Sequence, residues 1–140
     1  MGKLRDITIL MSATSSPSMP GEYKSLKNNG ERRIKVVGAD MSSDPSAKYI
    51  VDVFYQVPPV DAPDYVDVIL EICKKEHVDI YFPSISAEVT KVAERKAEFE
   101  EIGTILSISN LESVNIANNK LYAYRELEKA GIPVPRYYAV

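Results

Sequence analysis

Apolar positions recur along this chain in two rhythms. Short runs rich in β-branched residues fall at 7–11 (Ile7-Thr8-Ile9-Leu10-Met11), 33–39, 78–82 and 104–108. Each reads as a buried strand, because both faces of the run are apolar over a length too short for a helix. A briefer extended piece, 53–57, is stopped by Pro58 and Pro59. Between the runs, apolar residues return every three or four positions, the spacing of one helical face. Met19, Tyr23 and Leu26 form the first such set, with Pro20 suited to a first turn and Gly30 to a C-terminal cap. Val66, Ile69, Leu70 and Cys73 form the second, behind Asp61 as N-cap and ahead of Lys74, Lys75 and His77 at the helix end. A third helix is predicted over 86–101, capped by Ser86, with Val89, Val92 and Ala93 inward and Gly103 ending it. The fourth helical stretch opens on a capping box, Ser109-Asn110-Leu111-Glu112. It carries Val114, Ala117, Leu121, Tyr124 and Leu127 to Gly131. Ile132-Pro133-Val134-Pro135 breaks that pattern, and 136–140 predicts the start of another strand.

Strands that alternate with helices predict an α/β fold. Parallel strands need crossovers, and right-handed crossovers put helices on both faces of an open, doubly wound, Rossmann-like sheet. In such sheets ligands gather beyond the carboxyl ends of the strands. That rule selects 12–18, 40–44, 83–88 and 109–110. The loop at 12–18 has no glycine before Gly21, so it lacks the Gly-x-Gly-x-x-Gly approach to a pyrophosphate. Ser12, Thr14, Ser15 and Ser16 offer hydroxyls to a phosphate or carboxylate instead, or serve only their local backbone. Asp40, at the end of the second strand, can accept from a ligand hydroxyl or fix a turn. Glu88 sits in the first turn of its helix, where a carboxylate is favoured in any case. Cys73 belongs to an apolar face and reads as buried and inert. Lys120 can carry a point charge to a phosphate. No nucleophile–base pair is evident.

Composition narrows the partners. The 140 residues are 45% hydrophobic, enough for one domain with its own core. The net charge of −3 supplies no basic excess for a nucleic acid backbone. One cysteine and one histidine are too few for a Cys/His zinc site. The run at 7–11 is too short to span a bilayer or to lead a secretory signal. The chain therefore reads as cytoplasmic, without a membrane or nucleic acid partner.

Four stretches together resemble the N-terminal (pre-ATP-grasp) domain of ATP-grasp enzymes, especially proteins similar to the carbamoyl-phosphate synthase large subunit. They are Ile7 to Leu10 with Ser15-Ser16-Pro17; Val36-Val37-Gly38-Ala39-Asp40 with the Pro-ended 53–58; Asp79-Ile80-Tyr81-Phe82-Pro83-Ser84 with Glu88; and Asn119-Lys120 with Leu127-Glu128-Lys129-Ala130-Gly131-Ile132-Pro133-Val134-Pro135. Ser15-Ser16 stands where the family has a glycine pair, and Asn119 where it has Asp. The resemblance implies a pre-ATP-grasp domain over 1–132, with 133–140 beginning a truncated ATP-grasp domain. It implies the substrate side of an ATP-dependent carboxylate–amine ligase that works through an acyl phosphate. ATP and Mg²⁺ would be used by the full-length enzyme and not held tightly by this part, which would be inactive alone. Lys120 takes the position that contacts nucleotide. Ser15, Ser16, Asp40, Ser84, Ser86 and Glu88 fall at the substrate side, facing a small carboxylate or amine. No residue of the chain is implied as catalytic or as a metal ligand. Apolar surface left without the C-terminal ATP-grasp domain can also drive homodimers. Two other functions fit the bare pattern: a stand-alone module for a small anionic metabolite or nucleotide, and, more remotely, an NAD-dependent oxidoreductase with a degenerate loop.

Overall fold

In the computed structural model, which describes residues 4–138, β1 (Ile7–Met11), β2 (Ile34–Asp40), β3 (Val53–Gln56), β4 (Ile80–Phe82) and β5 (Ile105–Leu106) form one sheet. All pairings are parallel and the order is β3-β2-β1-β4-β5. The chain builds outward from β1 to β3, then returns to the far side of β1 for β4 and β5. The order reverses between β1 and β4, so the loops after those two strands diverge there and leave a crevice. This is the expected doubly wound α/β sheet.

Successive side chains of a strand point to opposite faces. Ile9 and Met11 meet Met19, Ile34 and Val36 under α1 (Met19–Lys27). Leu10, Val37 and Ala39 face the other way, against α2 (Tyr65–Glu76), α3 (Ser86–Glu94) and α4 (Lys96–Glu101). That second layer holds the larger core, including Ile69, Leu70, Val92 and Phe99. Each such side chain contributes about 1.5–3 kcal/mol on full burial. Tyr81 of β4 packs its ring 5.8 Å from that of Phe99.

Several boundaries differ from the periodicity. Asp64, not Asp61, occupies the N-cap position of α2, and β2 runs on to include Asp40. His77 closes α2 in the left-handed conformation (φ 50°), with its N–H bound to the carbonyls of Cys73 and Lys74. The helix expected over 86–101 is two helices, broken at Arg95. There the guanidinium forks onto both Glu98 oxygens (2.6 and 2.7 Å) and reaches Asp67 at 2.6 Å, which fixes the bend. Ile85, not Ser86, is the N-cap of α3, and Val89 is half-buried. The long C-terminal helix is also two: α5 (Leu111–Asn118) and α6 (Lys120–Lys129). Asn110 rather than Ser109 caps α5 through the Ser113 N–H, and Asn119 caps α6. Asn caps a helix as well as Ser does, so the capping box did not decide the position. Residues 136–138 form no strand; 139 and 140 lie outside the described residues. Among the described residues no helix is long and apolar enough to cross a membrane.

Candidate functional site

The site is built where β1 ends. Ser12 is buried, and Ala13 turns the chain with a positive φ of 51°. The loop that follows uses its N–H groups internally. Thr14 donates to the Ala39 carbonyl (3.4 Å), Ser15 to Asp40 Oδ2 (2.6 Å) and Ser16 to the Ala13 carbonyl (2.9 Å). Asp40 also accepts from the Ser42 N–H at 2.8 Å. Its carboxylate, 4% exposed, thus ties the loop after β1 to the turn after β2. A glycine-rich phosphate loop presents such N–H groups outward; here they are spent on the fold.

Close packing explains one more residue. A Cβ on Gly38 would lie 3.0 Å from Thr14 Cγ2 and 3.1 Å from Val51, so the loop can approach β2 only at glycine. Thr14 is fully buried, and its hydroxyl oxygen has no hydrogen-bond partner among the described residues.

Across the switch, Glu88 is 0% exposed although its side chain ends in a carboxyl group. Burying a carboxylate is tolerated only when donors surround it. Ser12 Oγ donates to its Oε2 at 2.6 Å, and the Ser84 N–H reaches the same oxygen at 3.2 Å. The hydroxyls of Tyr65 and Tyr81 both donate to Oε1. The Ser84 N–H also meets Ser12 Oγ at 3.0 Å. Burial first, and then the Glu88 charge, holds both phenols well above their ordinary value. They remain donors to the carboxylate at physiological pH.

A crevice of about 300 Å³ opens beside this knot, lined by Ser15, Asp40, Val57, Val60, Ile85 and Glu88 among others. A second, larger groove of about 730 Å³ lies toward α1, with Ser16, Phe82 and Ser84 in its wall. The residues singled out from sequence are therefore divided. Ser15, Asp40 and Glu88 share the crevice, whereas Ser16 and Ser84 face the groove. Ser86 and Lys120 line neither. Ser86 is linked to the C-terminal helices through its carbonyl, which accepts from Asn118 Nδ2 at 3.1 Å; Asn118 also reaches Thr90 Oγ1 at 2.8 Å. Lys120 is exposed at the first position of α6. The sequence reading offers Ser12 only as one hydroxyl of the loop at 12–18, and it does not single out Tyr65 or Tyr81. The run at 78–82 reads as a buried strand that contains Tyr81, but nothing in the sequence marks three hydroxyls as converging on one carboxylate.

With this geometry in view, comparison with known families decides the matter. The model described as "PylC-like, N-terminal domain" matches residues 22–107. The chain belongs to the PylC-like N-terminal domain family. No match was found among curated proteins. Within the family match lie Asp40, Ser84, Ser86 and Glu88; Ser12, Ser15, Ser16 and Lys120 fall outside it.

Solved structures share the fold of this PylC-like domain. Glycinamide-RNase-transformylase T from Mycobacterium tuberculosis matches 94% of the chain at 16% identity and a TM-score of 0.70. N5-carboxyaminoimidazole synthetase from Staphylococcus aureus, complexed with ADP, matches 94% at 16% identity and a TM-score of 0.63. A complete multifunctional pyruvate carboxylase from Rhizobium etli matches 94% at 17% identity and a TM-score of 0.67. The PylC-like domain spans 38%, 32% and 13% of those chains respectively.

Proposed function

We propose that this PylC-like domain is the substrate-side N-terminal domain of an ATP-dependent carboxylate–amine ligase of the ATP-grasp type, similar to the carbamoyl-phosphate synthase large subunit. The observation that carries the reading is the fold match. It takes in 94% of this chain and only 13–38% of the solved transformylase, synthetase and carboxylase chains. Residues 1–132 form the domain and 133–140 begin the next. The enzyme activates a carboxylate as an acyl phosphate, which an amine then attacks. The setting is cytoplasmic.

The described residues do not by themselves fit a magnesium–nucleotide. The N–H groups after β1 are occupied by Ala39, Asp40 and Ala13. Among the described residues, no three His, Cys, Asp or Glu side chains are placed to hold a metal ion. Stabilising a transferring phosphoryl group needs several positioned cations or donors, and Lys120 alone is one. In this reading the remainder of the enzyme holds ATP and Mg²⁺, and Lys120 adds a single contact. The domain's share is to form one wall of the acceptor site, with Ser15, Asp40 and Glu88 at the crevice, Ser16 and Ser84 at the neighbouring groove, and Ser86 outside both. Asp40 and Glu88 act there by holding the loops in place.

The test is trapping of the intermediate. The complete polypeptide that carries this domain is incubated with ATP, Mg²⁺, hydroxylamine and a panel of carboxylates. Formation of a hydroxamate with one of them supports the reading. ATP consumption without hydroxamate from any carboxylate contradicts it.

A further inference from the structure

At the amino ends of the strands, opposite the crevice, residues 28–33 carry the chain from α1 into β2. The Asn29 side chain ties that loop together. Its Nδ2 donates to the Leu26 carbonyl at 2.6 Å and to the Arg32 carbonyl at 2.9 Å. Its Oδ1 accepts from the Glu31 N–H at 2.8 Å and from the Arg32 N–H at 3.0 Å. Both donor hydrogens and both lone pairs of the amide are thus used. A carboxylate cannot reproduce this arrangement, because it has nothing to donate. Gly30 follows with a φ of 75°, and its N–H makes no hydrogen bond among the described residues. Asn29-Gly30 is the single Asn-Gly step in the sequence. Gly30 carries no side chain to hinder approach of its nitrogen to the Asn29 side-chain carbonyl carbon. Close by, Lys27 Nζ joins the end of α1 to the Ile34 carbonyl at 2.7 Å and to the Asp52 carboxylate.

We infer that Asn29 is a deamidation site that the native loop protects, and that its product unlatches the join between α1 and β2. Once the side chain is released, the Gly30 nitrogen passes its proton to hydroxide and attacks Asn29 Cγ. The N–Cγ bond forms, the Cγ–Nδ2 bond breaks, and Nδ2 leaves as ammonia with a proton taken from water. Water then opens the five-membered imide, giving aspartate or, by cleavage on its other side, isoaspartate. The net reaction consumes one water, releases ammonia and involves no change of oxidation state. Ring closure turns Cγ toward the Gly30 nitrogen and releases Nδ2, which the bonds to Leu26, Glu31 and Arg32 oppose. The reaction therefore proceeds through local opening and follows the open fraction. Its product sets carboxylate oxygen against the Leu26 and Arg32 carbonyls, which disfavours reclosure. Isoaspartate also lengthens the main chain by one carbon. The inference stands apart from the ligase reading.

The experiment needs neither ATP nor turnover. The complete polypeptide that carries this domain is incubated at mildly alkaline pH, folded and in guanidinium chloride. Samples are digested with pepsin at acid pH, and the peptide spanning Asn29 is followed by mass for conversion of amide to acid. Conversion at Asn29 should proceed in denaturant and be at least about tenfold slower in the folded protein. In a second arm, amide hydrogen exchange of the same peptide is compared in wild type, Asn29→Asp and Asn28→Asp. Asn29→Asp should exchange at least about fivefold faster than wild type. Asn28→Asp should match wild type, because the Asn28 side chain takes no part in the four bonds. Equal conversion rates in the folded and denatured protein overturn the inference. So does an absence of conversion at Asn29 in denaturant, wild-type exchange in Asn29→Asp, or equal acceleration by Asn28→Asp.

Discussion

The Ser12 hydroxyl donates to the Glu88 carboxylate at 2.6 Å, joining the end of β1 to the first turn of α3. With Tyr65, Tyr81 and the Ser84 N–H on the same carboxylate, one buried side chain fastens both loops that bound the crevice. Replacing Glu88 by Gln puts an N–H₂ against hydroxyls that now donate. Loss of about 2–4 kcal/mol of unfolding free energy is expected, measured by urea denaturation. Ser12→Ala should lose about 1–2 kcal/mol. The double variant should lose less than the sum of the two, because the residues share one network. Strict additivity would show that the bond does not couple them.

How much of this was legible beforehand differs by level. The short apolar run at 7–11 marked β1 as a buried strand, and strands alternating with helical stretches predicted the doubly wound sheet. Boundaries failed where a particular side chain decided them. Arg95 bends a continuous apolar stripe by forking onto Glu98, and Asn119 caps α6 within what reads as one helix. His77 takes a left-handed position that is commonly glycine, so its role is conformational and leaves no periodic trace. At the site, sequence placed Ser15, Asp40 and Glu88 near strand ends. It could not show that Asp40 and Glu88 bond inward, because that depends on contacts such as Ser12 to Glu88 across the sheet.

Thr14 tests the packing of the loop after β1. Its buried hydroxyl oxygen is without a partner among the described residues, so Thr14→Val removes a desolvated polar group while keeping the shape. Stability should be unchanged or rise by about 1–2 kcal/mol. In contrast, Gly38→Ala drives a methyl toward Thr14 Cγ2 and Val51 and should lose about 1–3 kcal/mol. Thermal melts of the two variants check both signs. A marked loss in Thr14→Val would show that the hydroxyl is satisfied in solution.

Asp79 tests the electrostatics at the opposite end of the sheet. Its bond to Arg5 (2.6 Å), aided by the Thr8 N–H (2.8 Å) and opposed by partial burial, holds its carboxyl below the ordinary value of 3.8. A folded-state value below the unfolded one stabilises the protein above the unfolded value. That contribution is lost as pH falls through the folded value. Wild type should therefore exceed Asp79→Asn in stability at pH 6–7, and the gap should close below about pH 4. Urea midpoints across that range measure it. A gap that persists undiminished well below pH 3 would contradict the assignment.

The central claim is that this domain supplies a wall of a ligase site and leaves ATP chemistry to the rest of the enzyme. The most direct measurement is ADP release, in the presence of Mg²⁺, a carboxylate and an amine, by the complete polypeptide and by the 140-residue chain in parallel. The account predicts substrate-dependent release by the complete polypeptide and none above background by the 140 residues. Comparable release by the 140-residue chain alone would contradict it.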